Sequence, residues 1–398
     1  MANALLVILV ALIAAYVFSE IFRRFGLPRV IGQILAGIVL GGTALTRVLF
    51  TEEITSAFSI ITNIGIILLF FFVGLEINLR EFKRNFRESA HIAIFNTLIP
   101  LITAFLAGRF LFGFNNITSV ILGISVSVSS QAISLDILEE LKLIKSKIGN
   151  LIIASGTVDD VFELLLISGI LVLFHSAALS TTPLGLLSDI LIFVLIVIVF
   201  RIFLIPFALK MFEEEKSQAS LFMGALIIVL SMAYLSEMLG ISSLIGALIA
   251  GMLVRQTLLT GADRKPWRKN EISHAIHIIS FGFLIPLFFV NVGLNTDIPS
   301  ISTNLLLIAV LLVIDFGGTL AGTLIGVLLN KGSIKEGLIV GFGVLPKGDT
   351  ELVIATLALN NGLITRDIFT TIIAVAIFST FLAPIVFRKL VKRHHKIG

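Results

Sequence analysis

About thirteen apolar runs, each close to the length that crosses the ~30 Å hydrocarbon core of a bilayer, divide this chain from end to end. They fall at roughly 3–22, 30–46, 55–75, 89–112, 117–137, 147–174, 184–209, 218–237, 241–255, 273–293, 302–329, 337–359 and 368–388, numbered here as spans 1 to 13. Spans 2 and 9 are short and rich in glycine. Backbone inside a bilayer has no water to bond, so a run of this length satisfies itself as a helix. The expected fold is an all-α polytopic membrane protein of about 13 transmembrane helices. Composition agrees: 57% of the 398 residues are hydrophobic and 14% charged, where a soluble domain carries about 25% charged residues. Mean hydropathy is +1.09. The chain has 33 Phe but only 1 Trp and 2 Tyr, so interfacial aromatic belts are weak. With 0 cysteines there are no disulfides, thiolate metal sites or cysteine nucleophiles.

The basic residues set the orientation. Of 29 Lys and Arg, Arg47, Arg109 and Arg366 occupy one set of alternate loops and Lys347 lies within a span. All the others fall in the opposite loops, at or near the span ends that adjoin those loops, or in the C-terminal tail. That asymmetry places the N-terminus outside and the C-terminus in the cytoplasm of a cell membrane. The net charge of +4 is therefore a topology signal, and no nucleic-acid partner is expected. No basic segment precedes span 1, so a cleaved signal peptide is not expected. The tail ends about ten residues after span 13 with no soluble nucleotide-binding domain, and no Walker or Rossmann glycine pattern occurs. ATP is not the expected energy source, and no resident cofactor is expected.

Two stretches recur. FGLPRVIGQILAGIVL around span 2 matches LGISSLIGALIAGMLV around span 9, setting Gly26, Gly32, Ala36 and Gly37 on Gly240, Gly246, Ala250 and Gly251. LLFFFVGLEIN (68–78) matches LFFVNVGLNTD (287–297), setting Gly74 on Gly293. Gly-Ala-rich helices resemble one another for packing reasons, but two matches in one order at nearly one offset point to a duplication. The copies lie an odd number of spans apart, which inverts one relative to the other. Inverted-topology transporters place their sites where broken helices meet near the midplane. The breaks are expected in span 5, at ISVSVSSQAIS with Ser129, Ser130 and Gln131, and in span 12, at GFGVLPKGDTELVIA. Pro346 and Gly348 interrupt the latter. Ser129 and Ser130 would equally serve ordinary helix–helix hydrogen bonding.

Ionisable residues inside spans are expensive and mark ion or proton pathways. Span 6 carries Asp159, Asp160 and Glu163, with Asp160 and Glu163 on one face and Asp159 about 100° away. Span 11 carries Asp315, and span 12 carries Lys347, Asp349 and Glu351. A desolvated carboxylate holds either a proton or a hard cation, and that competition is a sufficient exchange mechanism when the site faces one side at a time. Asp159 and Asp160 are the candidate cation- and proton-binding pair. Ser129, Ser130, Gln131, Glu163, Asp315, Lys347, Asp349 and Glu351 are candidate supporting residues. Lys347 with Asp349 or Glu351 reads equally as a structural pair that neutralises helix ends.

At these residues the chain resembles the cation/proton antiporter family of monovalent cation:proton antiporters, in its second branch. The resemblance covers nearly the whole chain through GLPRVIGQILAGIVLG, FFFVGLEIN, LEELKLIKSKIGNLIIASGTVDDV and LIPLFFVNVGL. It implies Asp160 as the principal cation- and proton-carrying carboxylate, Asp159 as its partner, and two crossing broken helices at spans 5 and 12. It also implies a homodimer with a scaffold at about 1–80 and 215–297, a mobile core at about 88–175 and 302–390 and a linker helix at about 184–210, working as an elevator. Three departures stand out. Relatives with the double Asp usually carry a span-11 lysine that pairs with the first Asp, where this chain has Asp315. Their Arg-Gly-Glu of span 12 is Lys347-Gly348-Asp349 here, followed by an unusual Glu351. Their Thr-Ser-Val-x-x-Thr run in span 5 is replaced by Ser-Ser-Gln-Ala-Ile-Ser. Three close carboxylates cannot all ionise, so Asp315 is expected to be protonated, cation-bound or paired with Lys347. Stoichiometry or ion preference, even towards a divalent ion, would change accordingly. In the milder reading Lys347 takes over the missing lysine's pairing.

Exchange of a monovalent cation, sodium foremost, for protons is the leading reading. A K⁺/H⁺ antiporter or a potassium-efflux channel-like protein is the alternative, and a sodium-coupled solute symporter is a further one. An intramembrane aspartyl protease is disfavoured because its Gly-x-Gly-Asp signature is missing, so no enzyme is expected. The 6 His residues lie near interfaces or outside the spans and single out no site.

Overall fold

The computed structural model describes residues 4–25, 27–42, 49–76, 79–130, 132–143, 146–156, 158–159, 162, 183–207, 218–239, 241–260 and 271–395. Over these the chain is helical with short connections, and among the described residues there is no strand. Helices α1 (Ala4–Arg24), α2 (Arg29–Gly41), α3 (Glu52–Glu76) and α4 (Leu79–Leu106) occupy spans 1 to 4. Span 5 is divided between α5 (Asn116–Ser127) and α6 (Ala132–Glu140). Helical residues 147–156 and 158–159 form α7, the start of span 6. α8 (Pro183–Val199), α9 (Gln218–Met238) and α10 (Ser243–Thr260) follow. α11 (Glu271–Ile279) passes through a π turn, Ser280–Leu284, into α12 (Ile285–Leu294). A short α13 (Ile298–Thr303) precedes α14 (Leu305–Leu329). Span 12 is divided between α15 (Ile334–Val344) and α16 (Asp349–Asn360), and α17 (Arg366–His395) closes the described chain. Among the described helices, 6 are long and apolar enough to cross a membrane, and several shorter apolar helices accompany them.

Two boundaries differ from the apolar runs. α4 begins at Leu79, so the basic stretch expected as a loop is helical. Charge ends an apolar run without ending a helix, because hydropathy reports the bilayer and not the hydrogen-bond ladder. The beginning of span 11 is likewise interrupted: α13 ends at Thr303 and α14 starts at Leu305. Local capping explains other ends. The Asn115 side chain accepts from Thr118 N at 2.8 Å at the start of α5. Ser333 and Glu336 form a reciprocal capping box at the start of α15.

The chain divides into two compact units, Met1–Leu12 with Arg47–Ile77 and Ile167–Asn291, and Ile13–Thr46 with Asn78–Leu166 and Val292–Gly398. In the first, α3 lies on α10 with backbones almost in contact. A Cβ on Gly74 would stand 2.2 Å from Leu248 O and 3.1 Å from Gly251 Cα. In the second, a Cβ on Gly293 would stand 2.1 Å from Ile34 O and 2.7 Å from Gly37 Cα. The matching stretches set Gly37 on Gly251 and Gly74 on Gly293, and each unit contains a glycine-on-glycine crossing at these positions. Gly32 against Phe18 and Gly246 against Met232 repeat a second such approach.

The second unit holds every described ionisable residue singled out above. Its frame is a ladder of Gly318, Gly322 and Gly326 along one face of α14. Added Cβ atoms there would meet Pro100 Cα at 3.1 Å, Phe95 O at 2.2 Å and Ile92 Cα at 2.4 Å on α4. Small residues at four-residue spacing permit this approach, and dispersion replaces the hydrophobic drive that lipid does not supply. Ile137, Leu138, Ile148, Ile152, Ile339, Val340, Val344, Phe387 and Val391 then form an apolar cluster joining α6, α7, α15 and α17.

Gly74→Ala, Gly293→Ala and Gly322→Ala are each expected to lower stability by about 1–3 kcal/mol or more, since the added methyl meets rigid backbone. Gly317→Ala has nothing within 4 Å of its new Cβ. It is expected to be neutral or to stabilise by up to about 1 kcal/mol, because it lies inside a helix. Thermal unfolding of the detergent-purified variants, followed by loss of the monodisperse peak in size-exclusion chromatography, checks the contrast.

Candidate ion-binding site

α4, α5, α7, α14, α16 and α17 bring the polar groups of the second unit together. Asp159 on α7 is 2% exposed. Asn96 Nδ2 donates to its Oδ2 at 3.1 Å. The Thr97 hydroxyl donates to Oδ1 and the Ser129 hydroxyl to Oδ2. The Asn96 amide is oriented from behind, because Thr323 Oγ1 on α14 donates to its Oδ1 at 3.3 Å. The glycine ladder that presses α14 onto α4 is what brings Thr323 within reach of Asn96.

Thr97 gives the pocket two settings. Its Oγ1 also lies 2.9 Å from Ala93 O, one turn earlier. A hydroxyl has one proton to donate. With Asp159 ionised, that proton goes to the carboxylate. With Asp159 protonated, the carboxyl donates to Thr97 Oγ1, which turns its own proton to Ala93 O. Both states are satisfied without moving a heavy atom.

The second cluster surrounds Lys347. Its Nζ lies 2.9 Å from Asp315 Oδ1, and the two side chains are 1% and 0% exposed. The same ammonium donates to Val126 O at 2.5 Å and Val128 O at 2.8 Å. These carbonyls end α5, where the helix leaves its last acceptors unpaired and its dipole is negative. Ser379 on α17 donates to the other Asp315 oxygen. Thr380 Oγ1 accepts from Lys347 N and donates to Lys347 O, both at 3.1 Å, which fixes the backbone of the interrupted segment. The two interruptions are joined directly: Ser130 N donates to Pro346 O at 2.7 Å. A Cβ on Gly348 would stand 2.9 Å from Ser130 Cβ, so the approach requires glycine there.

The structure thus joins Asp159 with Ser129, and Asp315 with Lys347. Lys347 forms its ion pair with Asp315 rather than with Asp159, and it also caps helix α5. Ser130 contributes backbone. Glu351 is 0% exposed, and among the described residues neither of its carboxylate oxygens has a hydrogen-bond partner. Asp160, Glu163 and Gln131 lie outside the described residues, as does the side chain of Asp349. Sequence reasoning passed over Asn96, Thr97, Thr323, Ser379 and Thr380. An asparagine within the apolar run HIAIFNTLIPL is a detectable signal, since its amide must find partners. Isolated Ser and Thr in spans are too common to carry one.

Comparison with known proteins follows this geometry. The family model described as "Sodium/hydrogen exchanger, transmembrane" matches residues 8–393. A Na(+)/H(+) antiporter of Enterococcus hirae is 31% identical, with 96% of each chain covered. The Na(+)/H(+)-K(+) antiporter GerN of Bacillus cereus is 28% identical over 94% of this chain and 92% of its own. The solved sodium proton antiporter MjNhaP1 of Methanocaldococcus jannaschii shares the fold, with a TM-score of 0.69 over 98% of this chain and 96% of that one at 16% identity. A transmembrane family model spanning almost the whole chain, together with a relative at this identity over nearly its full length, establishes that the chain belongs to the sodium/hydrogen exchanger family.

Proposed function

We propose that this chain is a secondary active antiporter that exchanges a monovalent cation, sodium foremost, for protons by alternating access. The observation that carries this reading is the company kept by Asp159. It is a buried carboxylate held by three neutral donors, and among the described residues no Lys or Arg forms an ion pair with it. Charge buried without a partner is costly. The compensating positive charge therefore arrives from solution, as a proton or as a cation that oxygen ligands suit. Asp160, the next residue, enters the proposal as the principal carrier by its place in the sequence and by family resemblance.

The same proposal includes the finer architecture. Spans 5 and 12 act as crossing broken helices, supported by the two interruptions and the Ser130–Pro346 hydrogen bond. An inverted repeat accounts for the duplicated glycine crossings. The scaffold, linker and elevator-like core, a homodimer, the absence of a resident cofactor, and a plasma-membrane location with the C-terminus in the cytoplasm complete it. Lys347 is assigned a fastening role, since its ammonium is shared among Asp315 Oδ1, Val126 O and Val128 O.

Reconstituted into liposomes with an imposed pH gradient, the protein is expected to dissipate that gradient when Na⁺ or Li⁺ is added. Asp159→Asn and Asp160→Asn are each expected to reduce this to the level of empty liposomes. A wild type that responds to K⁺ alone would make potassium the substrate, as the name of the Bacillus cereus relative allows for that protein. A wild type indifferent to every cation would refute antiport.

Lys347→Ala leaves Asp315 as a buried uncompensated charge, and a loss of about 3–5 kcal/mol is expected. Adding Asp315→Asn to that variant is expected to restore part of the loss, because the orphaned charge is removed. Thermal unfolding of the two single variants and the double variant measures the coupling.

A further inference from the structure

Glu351 has no part in the arrangement described so far. It stands in the first turn of α16, is 0% exposed, and among the described residues has no hydrogen-bond partner at either Oε1 or Oε2. By sign alone, Lys347, four residues earlier, attracts its carboxylate, and Asp315, paired with that lysine, repels it. Lys347 is already committed at 2.9 Å to Asp315, 2.5 Å to Val126 O and 2.8 Å to Val128 O. One ammonium cannot balance two carboxylates in a region of low dielectric. With a proton on Glu351, the trio of Asp315, Lys347 and Glu351 carries no net charge.

We propose that Glu351 is a second proton-carrying residue of this transporter, protonated while the aspartate pocket lacks a cation and deprotonated when the cation enters. This rests on the antiporter reading above. The link between the two places is Lys347, whose ammonium donates to Val128 O, next in the chain to the Ser129 whose hydroxyl donates to Asp159. Asp159, Asp315 and Glu351 therefore share one fixed positive charge. A cation taken up at Asp159 supplies a second, satisfies that carboxylate, and raises the local potential in the sense that favours an anion at Glu351. The proton leaves the Glu351 carboxyl for water on the side to which the site is open, and the bonding electron pair stays on the carboxylate. Each positive charge gained is matched by one lost. The N-terminal end of α16, with its unpaired backbone N–H groups, steadies the anion left behind. A glutamic acid that only filled space would do so equally well as glutamine, and that difference is measurable.

The experiment compares wild type, Glu351→Gln and Glu351→Asp, purified in detergent. A pH indicator reads protons released on adding NaCl against choline chloride, isotopic Na⁺ binding gives the cation bound, and infrared difference spectra record the carboxylic-acid C=O band. Wild type is expected to release protons and to lose a C=O band on Na⁺ binding. At a pH where Asp159 is already ionised before the cation binds, wild type is expected to release about one proton per Na⁺, and in Glu351→Gln that ratio is expected to fall towards zero with loss of the band. Glu351→Asp is expected to retain proton release with a shifted pH midpoint. A Gln variant with the wild-type ratio and the full band overturns the proposal. Should the Gln variant not fold, an Asp variant with an unshifted midpoint overturns it equally. A wild type that binds no cation with proton release refutes the antiporter reading itself, an outcome distinct from failure at Glu351 alone.

Discussion

One ammonium group organises the polar interior of the second unit. Lys347 Nζ joins the C-terminal carbonyls of α5 to Asp315 on α14, and its own backbone is held by Thr380 on α17. Without it, α5 would end on unsatisfied carbonyls inside a membrane span, and Asp315 would be a buried anion with one hydroxyl for company. Interrupting two helices in an apolar setting exposes backbone groups that lipid cannot satisfy. The lysine and the Ser130–Pro346 hydrogen bond answer that requirement from within the protein. The break in span 12 and the charge beside it are one device: Pro346 and Gly348 open the helix, and Lys347 between them repairs what the opening exposes in span 5.

That device works only if its supports are held to within a fraction of an ångström, and glycine contributes much of the precision. Gly318, Gly322 and Gly326 set α14 directly on the backbone of α4. The same register brings Thr323 to Asn96, and so turns the Asn96 amide towards Asp159. A larger residue on the ladder would move a hydrogen-bond donor of the pocket as well as weaken packing. Packing and the setting of the Asp159 pocket are coupled through one helix pair.

Much of this was legible in the sequence, and the reason differs from residue to residue. Asp159, Asp315, Lys347 and Glu351 stand out because an ionisable group in an apolar run must have a purpose. Pro346 and Gly348 announce a break for steric reasons, and the glycines of the duplicated stretches announce close crossings. The neutral donors did not stand out. Thr97 bonds the carbonyl one turn earlier, as most intramembrane threonines do, and nothing in its neighbours reveals that the same oxygen also faces a carboxylate. Ser379 and Thr380 form an ordinary pair in an apolar helix until folding places them beside Asp315 and Lys347. The pairing of Lys347 with Asp315, which are 2.9 Å apart in space, joins two spans and has no local signature. The helical start of α4 was hidden because hydropathy responds to the membrane boundary.

The two carboxylates described with partners divide the work by the kind of partner each has. Asp315 faces a permanent cation and a hydroxyl, so its charge is neutralised within the protein and it gains nothing from an ion in transit. Asp159 faces an amide and two hydroxyls. These stabilise an anion by dipoles alone, and through Thr97 they accommodate the protonated form as well. Neutral donors leave the charge of Asp159 unbalanced, whereas a lysine in the place of Asn96 would hold the carboxylate ionised. In this chain the lysine lies in the neighbouring cluster, where it fastens the interrupted helices. Among the described residues no fixed cation is paired with Asp159, and a carboxylate in that condition is what the proposed exchange of a cation for a proton requires.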